Sequence, residues 1–103
     1  MGKRQYIYVF SNPSMPGLLK IGSTKRNPSK RSQELYTTGV PTPFVLEYSC
    51  VVADCCASER QAHRALDRYR VTQNREFFRI SLNAAMKKIL ATVGSVQEVE
   101  RRG

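Results

Sequence analysis

The tightest constraint on the fold lies in the first 22 residues, where turn formers hold apart two short β-type runs. Residues 5–11 are rich in aromatic and β-branched side chains, residues 18–22 form a second apolar run, and Asn12-Pro13-Ser14 and Pro16-Gly17 stand between them. This predicts an antiparallel hairpin with a long loop. Asn27 then suits a helix N-cap and Pro28 its first turn, so a short basic helix is predicted over residues 29–37, stopping at Gly39. Pro41 and Pro43 close that connection, and residues 43–53 read as a third strand. Asp54 caps a second helix over residues 55–70, in which Ala62, Ala65, Leu66 and Tyr69 recur at helical spacing with Arg60, Arg64 and Arg68 opposite. A turn at Gln73-Asn74, a short strand over residues 76–80 and a last helix over residues 82–93, ended by Gly94, complete the order. The expected fold is α+β: a small, largely antiparallel three-stranded sheet flanked by helices, with a short extra strand and a C-terminal helix. A chain of 103 residues buries one modest core, so residues 1–95 are read as a single domain and 96–103 as a flexible tail.

Charge sets the partner class. Seventeen Lys and Arg against eight Asp and Glu give a formal net charge of +9, a field that attracts polyanions, nucleic acid or an anionic membrane surface first. No run approaches the roughly 20 apolar residues of a membrane span, and residues 6–11 are too short for a signal-peptide core. Cys50, Cys55 and Cys56 are too few and too clustered for a disulfide framework, which favours a reducing compartment. The expectation is a soluble cytoplasmic protein with no membrane partner, its oligomeric state left open. The basic residues are also unevenly placed: residues 1–33 hold Lys3, Arg4, Lys20, Lys25, Arg26, Lys30 and Arg31 and no carboxylate. A solvated charged face is the plain alternative, but an acid-free third of such a basic chain favours polyanion contact.

Two residues of the second helix stand out. Glu59 falls about 60° from the centre of the apolar stripe, at the margin where helix meets sheet, and His63 lies one turn further on the same side. Taken alone, each also fits a structural boundary role. The cysteines with His63 make no zinc set, because adjacent cysteines leaving a helix cap point apart and zinc-type spacing is lacking.

In order along the chain stand Tyr6-Ile7-Tyr8, eleven further residues, Lys20-Ile21-Gly22, Arg31 nine residues after that glycine, Glu59-x-x-x-His63 and Glu76-Phe77-Phe78. This series, over roughly residues 5–80, resembles the GIY-YIG nuclease superfamily and, within it, the small phage-type and meiotically-up-regulated-type branch. Tyr6 stands where the first motif has glycine, Lys20 where the second has its first tyrosine, and Asn74 is a candidate by location for the family's asparagine.

The resemblance implies an endonuclease that hydrolyses DNA phosphodiesters with Mg²⁺ or Mn²⁺. By position, Tyr8 is then the general base, Lys20 orients water or phosphate, Arg31 binds the scissile phosphate and Glu59 is the metal ligand. One carboxylate is a thin metal site, yet Mg²⁺ commonly keeps several waters and uses substrate phosphate. A tyrosine with an ordinary pKa near ~10 needs neighbouring positive charge to act as a base, which Lys20 and Arg31 are expected to supply. His63 either assists proton transfer or packs. Tyr6, Gly22, Lys25, Arg26 and Lys30 are the expected nucleic-acid surface. Of Tyr6 and Tyr8, one is expected to turn away and pack, Phe77 and Phe78 to cover the core, and Glu76 to answer a nearby arginine or support the site. The rival readings are a non-catalytic nucleic-acid-binding module with the same fold and a basic protein-interaction domain. Phosphate contacts carry little base information, so neither sequence preference nor single- against double-stranded substrate is set.

Overall fold

The structure is a computed structural model that describes residues 4–35, 41–71, 76–93 and 99–101. Strands β1 (Gln5–Ser11), β2 (Leu19–Thr24), β3 (Val45–Val52), β4 (Phe77–Phe78) and β5 (Val99–Arg101) form one sheet in the order β4-β2-β1-β3-β5, every neighbouring pair antiparallel. Three helices complete it: α1 (Pro28–Glu34), α2 (Cys55–Ala65) and α3 (Leu82–Val93). The fold is therefore α+β, with the hairpin of β1 and β2 and the long β3 as its three main strands.

The sheet separates two apolar layers of unequal size. Ile7, Val9, Ile21, Tyr48, Cys50 and Val52 meet Ala62 and Leu66 beneath α2 and Ala85 and Ile89 of α3, with Phe78 between them. The opposite layer is smaller and aromatic: Tyr8, Phe10 and Phe44, covered by Leu35 at the end of α1 with Met15, Leu46 and Phe77. A bulge makes the second layer possible. Between Val9 and Phe10 the register against β3 slips, so that Val9 faces Tyr48 but Phe10 faces Leu46. The extra residue turns Leu46 to the aromatic side although Tyr48, two residues on, stays on the other.

Local chemistry placed the helix starts. The Asn27 side chain accepts from the Ser29 N–H at 2.8 Å with Pro28 at the first helical position, and Asp54 Oδ1 accepts from the Ala57 N–H at 3.1 Å. The last helix has the predicted bounds. The second ends earlier than its periodicity predicts, at Ala65, followed by a 3-10 turn over Asp67–Tyr69. Tertiary pairing outcompetes propensity here: the Tyr69 carbonyl accepts from Arg79, Arg70 bridges Phe78 and the Val71 N–H donates to Phe77, so this segment covers the outer edge of β4. At the other edge, Val99–Arg101 pairs with Tyr48–Cys50 of β3, a strand inside the stretch read as a flexible tail. The predicted helix stop at Gly39, the Gln73-Asn74 turn, the candidate Asn74 and Gly94 lie outside the described residues. No described helix is long and apolar enough to cross a membrane.

Candidate active site

Alternation along β1 puts Tyr6, Tyr8 and Phe10 on one face, because residues two apart on a strand project the same way. The expectation that one of the two tyrosines turns away is thus corrected. Tyr8 stacks on Phe10 at 4.1 Å between ring centroids and is only 1% exposed. It lies opposite Gly22 of β2, and its hydroxyl reaches across that glycine: a Cβ there would come within 2.5 Å of the Tyr8 oxygen and 2.8 Å of Glu76 Oε1. The phenol and the Glu76 carboxylate therefore converge on one spot, which Gly22 leaves clear.

Glu76 reaches this spot because its carbonyl accepts from the Ile21 N–H at 3.0 Å, continuing the β4 ladder by one residue. Its Oε1 accepts from Lys20 Nζ at 2.9 Å, so its partner is Lys20 and not the arginine expected from the sequence. Arg31 of α1 approaches the phenol from the helix side. Burial works against its charge, but hydrogen bonding to Tyr8 and the Glu34 carboxylate outweigh this, and its pKa is raised. For Tyr8, burial first and then the Glu76 charge push the pKa up; Arg31 pulls it down, Glu59 adds a further upward push, and the outcome is about 12. Lys20 is paired with Glu76, and the charge that lowers the Tyr8 pKa is that of Arg31, whose guanidinium donates to the phenol oxygen.

Glu59 and His63 come from the other side of β2. Glu59 Oε1 accepts from the Ser23 hydroxyl. His63 Nε2 lies 2.7 Å from the Ile21 carbonyl and 4.0 Å from Glu59 Oε2. A carbonyl only accepts, so Nε2 carries the proton and completes the ladder where β4 stops. Among the described residues no strand pairs with the outer edge of β2 beyond that point, β1 lying on its other side, and the Glu59 charge acts on Tyr8. The described residues contain no group of three His, Cys, Asp or Glu able to hold a metal ion. Glu59 is the carboxylate at hand, and a one-carboxylate site fits an ion that keeps its waters and takes substrate phosphate as a further ligand.

The expected nucleic-acid residues divide. Tyr6, Lys25 and Arg26, with Arg4 and Asn27, line an open pocket of about 440 Å³ next to the Tyr8 site. Gly22 belongs to the Tyr8 cluster, and Lys30 stands exposed on α1. The acid-free segment is not without acid in space: Glu34 Oε1 accepts from Arg26 at 2.8 Å and lies 3.5 Å from Arg31, fixing both guanidinium groups. Ser23, Glu34 and Asn27 as a pocket wall had escaped the sequence reading. Only strand alternation carried a signal, setting Ser23 on the face opposite Lys20 and Gly22.

The T5orf172 domain family matches residues 5–102, nearly the whole chain. The chain belongs to this family. No curated protein and no solved structure matches it. The T5orf172 domain is a phage endonuclease-associated domain, so the chain belongs to a nuclease-associated family. The match runs through β5, so this T5orf172 domain includes the edge strand as well as the site.

The raised Tyr8 pKa has a measurable consequence. A phenol whose folded pKa exceeds its unfolded value of 10.0 favours the folded state below pH 10, and that contribution is lost as pH rises through about 12. Tyr8→Phe is therefore expected to remove one late-titrating tyrosine, midpoint near 12, from the ultraviolet titration. It is also expected to flatten the fall in stability between about pH 10 and 12, read from chemical denaturation at each pH.

Proposed function

We propose that this T5orf172 domain is a divalent-metal-dependent DNA endonuclease of the GIY-YIG type. The observation that carries the reading is the convergence of Tyr8, Arg31, Lys20 and Glu76 over the side-chain-free Gly22, with Glu59 across the open edge of β2. Arg31, held by Glu34, binds the scissile phosphate, and Lys20 orients water or a phosphate oxygen. Glu59 would hold the divalent ion, which when bound supplies Lewis-acid stabilisation of charge on the phosphoryl and leaving oxygens. His63 sets the edge geometry through the Ile21 carbonyl, beside Glu59.

A tyrosine with a pKa of about 12 exists as phenolate in only roughly one molecule in 10⁵ at pH 7. A free phenolate base is too rare to serve. The Glu76 carboxylate beside it is the proposed sink: Tyr8 takes a proton from the attacking water as its own hydroxyl proton passes to Glu76, the two closing to hydrogen-bond distance in the substrate complex, so no phenolate accumulates. Glu76→Gln is expected to slow cleavage by roughly a hundredfold, the lower end for loss of acid–base assistance. The same variant is expected to bring the late tyrosine titration below its midpoint of about 12, because the Glu76 charge that pushed it up is gone.

The reading is tested by incubating the full chain with supercoiled plasmid, linear duplex and single-stranded DNA, in Mg²⁺, Mn²⁺ or EDTA. Metal-dependent cuts are expected. Tight binding with no cleavage in either metal would leave a nucleic-acid-binding module on the same fold.

A further inference from the structure

The pocket beside the site has a composition that the hydrolysis step does not use. Tyr6 lies on the same face as Tyr8 and two residues before it, roughly 7 Å along the strand, comparable with one nucleotide step of an extended polynucleotide. Opposite it on β2 is Thr24, and around it stand Arg4, Lys25, Arg26 and Asn27. The pocket is open, about 440 Å³, as suits one unit of a longer strand, and its lining holds three cations, one aromatic ring and no carboxylate. Arg26 pairs with Glu34 at 2.8 Å on the exposed side of the pocket, which holds its guanidinium near the lining.

Cations alone would suit any phosphate backbone. An aromatic ring is different, because in a duplex each base is already sandwiched between its neighbours, and only an unpaired base offers a free π-face. Resting on the nuclease reading for the position of the cut, we infer that this pocket is a subsite for an unpaired nucleotide flanking the scissile phosphate. Its base stacks on Tyr6 and its phosphate lies against Lys25 and Arg26. The substrate is then a single strand, or a duplex opened at the cut.

The test measures binding by the full chain in EDTA, where no cleavage intervenes. The probes are a single-stranded deoxyoligonucleotide carrying 2-aminopurine at successive positions, the duplex of the same sequence, and free dAMP. In the unmodified protein, 2-aminopurine fluorescence is expected to change at one position of the single strand and not in the duplex. Tyr6→Leu is expected to weaken single-strand binding at least roughly fivefold, the lower bound for a lost base stack, with duplex binding unchanged and Tyr6→Phe retaining affinity. Lys25→Gln is expected to lower the salt slope of single-strand binding by roughly one. An unchanged fluorescence at every position, equal losses on both DNA forms, or dAMP binding as tight as the strand would each overturn the subsite. Cleavage in Mg²⁺ is scored separately, so Tyr6-dependent single-strand binding without cleavage defeats the nuclease reading alone.

Discussion

Glu59→Ala is expected to lose DNA cleavage by at least roughly a thousandfold, since in the proposed mechanism several kcal/mol of charge stabilisation would depend on an ion held by this carboxylate. DNA affinity is expected to stay within a factor of about three, because the change removes a negative charge from a chain already at +9 and no phosphate contact is lost. The fold should survive. Helix α2 is capped by Asp54 and anchored by the buried Cys55, Ser58 and Ala62, none of which is changed by the substitution. Thermal melting checks this, and gel-based cleavage with parallel anisotropy binding reads the separation. Cleavage retained at a tenth or more of the unmodified rate would show that Glu59 holds no metal and serves only Ser23.

Gly22→Ala tests the other half of the site with a single methyl group. Its Cβ would stand 2.5 Å from the Tyr8 oxygen and 2.8 Å from both Tyr8 Cζ and Glu76 Oε1, so the phenol and the carboxylate must both move. Tyr8 has little room, being 1% exposed and stacked on Phe10. A misplacement of ~1 Å costs on the order of a hundredfold in rate, and the overpacking costs about 1–3 kcal/mol of stability. The expected result is a cooperatively folded protein, somewhat lower melting, with cleavage down at least roughly a hundredfold. The late tyrosine titration should shift as well, because the distances to Glu76 and Arg31 that set it have changed. Full activity in this variant would remove Tyr8 from the chemistry.

What was legible in the sequence was local. The hairpin, the Asn27 and Asp54 caps and the bounds of α3 all follow from residues within a turn or two of each other, and the structure carries them as expected. Non-local events were hidden. The early end of α2 depends on residues 69–71 joining β4, and the C-terminal strand depends on the free edge of β3, neither of which any short window records. The candidate site divides in the same way. Motif order brought Tyr8 and Arg31 to one place, whereas Tyr6, which the sequence reading set against Tyr8, shares its face. The ion pair of Lys20 with Glu76 spans 56 positions, and composition cannot say which cation a carboxylate will meet. The carboxylate Glu34 lay just beyond the acid-free stretch and reaches back to its arginines.

The unequal apolar layers imply a division of labour within the molecule. Most of the buried hydrocarbon lies beneath α2 and α3, whereas α1 contributes only Pro28 and Ser32 as buried residues to the side that carries Tyr8 and Arg31. The side that carries Tyr8 thus holds a small aromatic core of its own, and the larger layer opposite supplies most of the burial that keeps the chain folded.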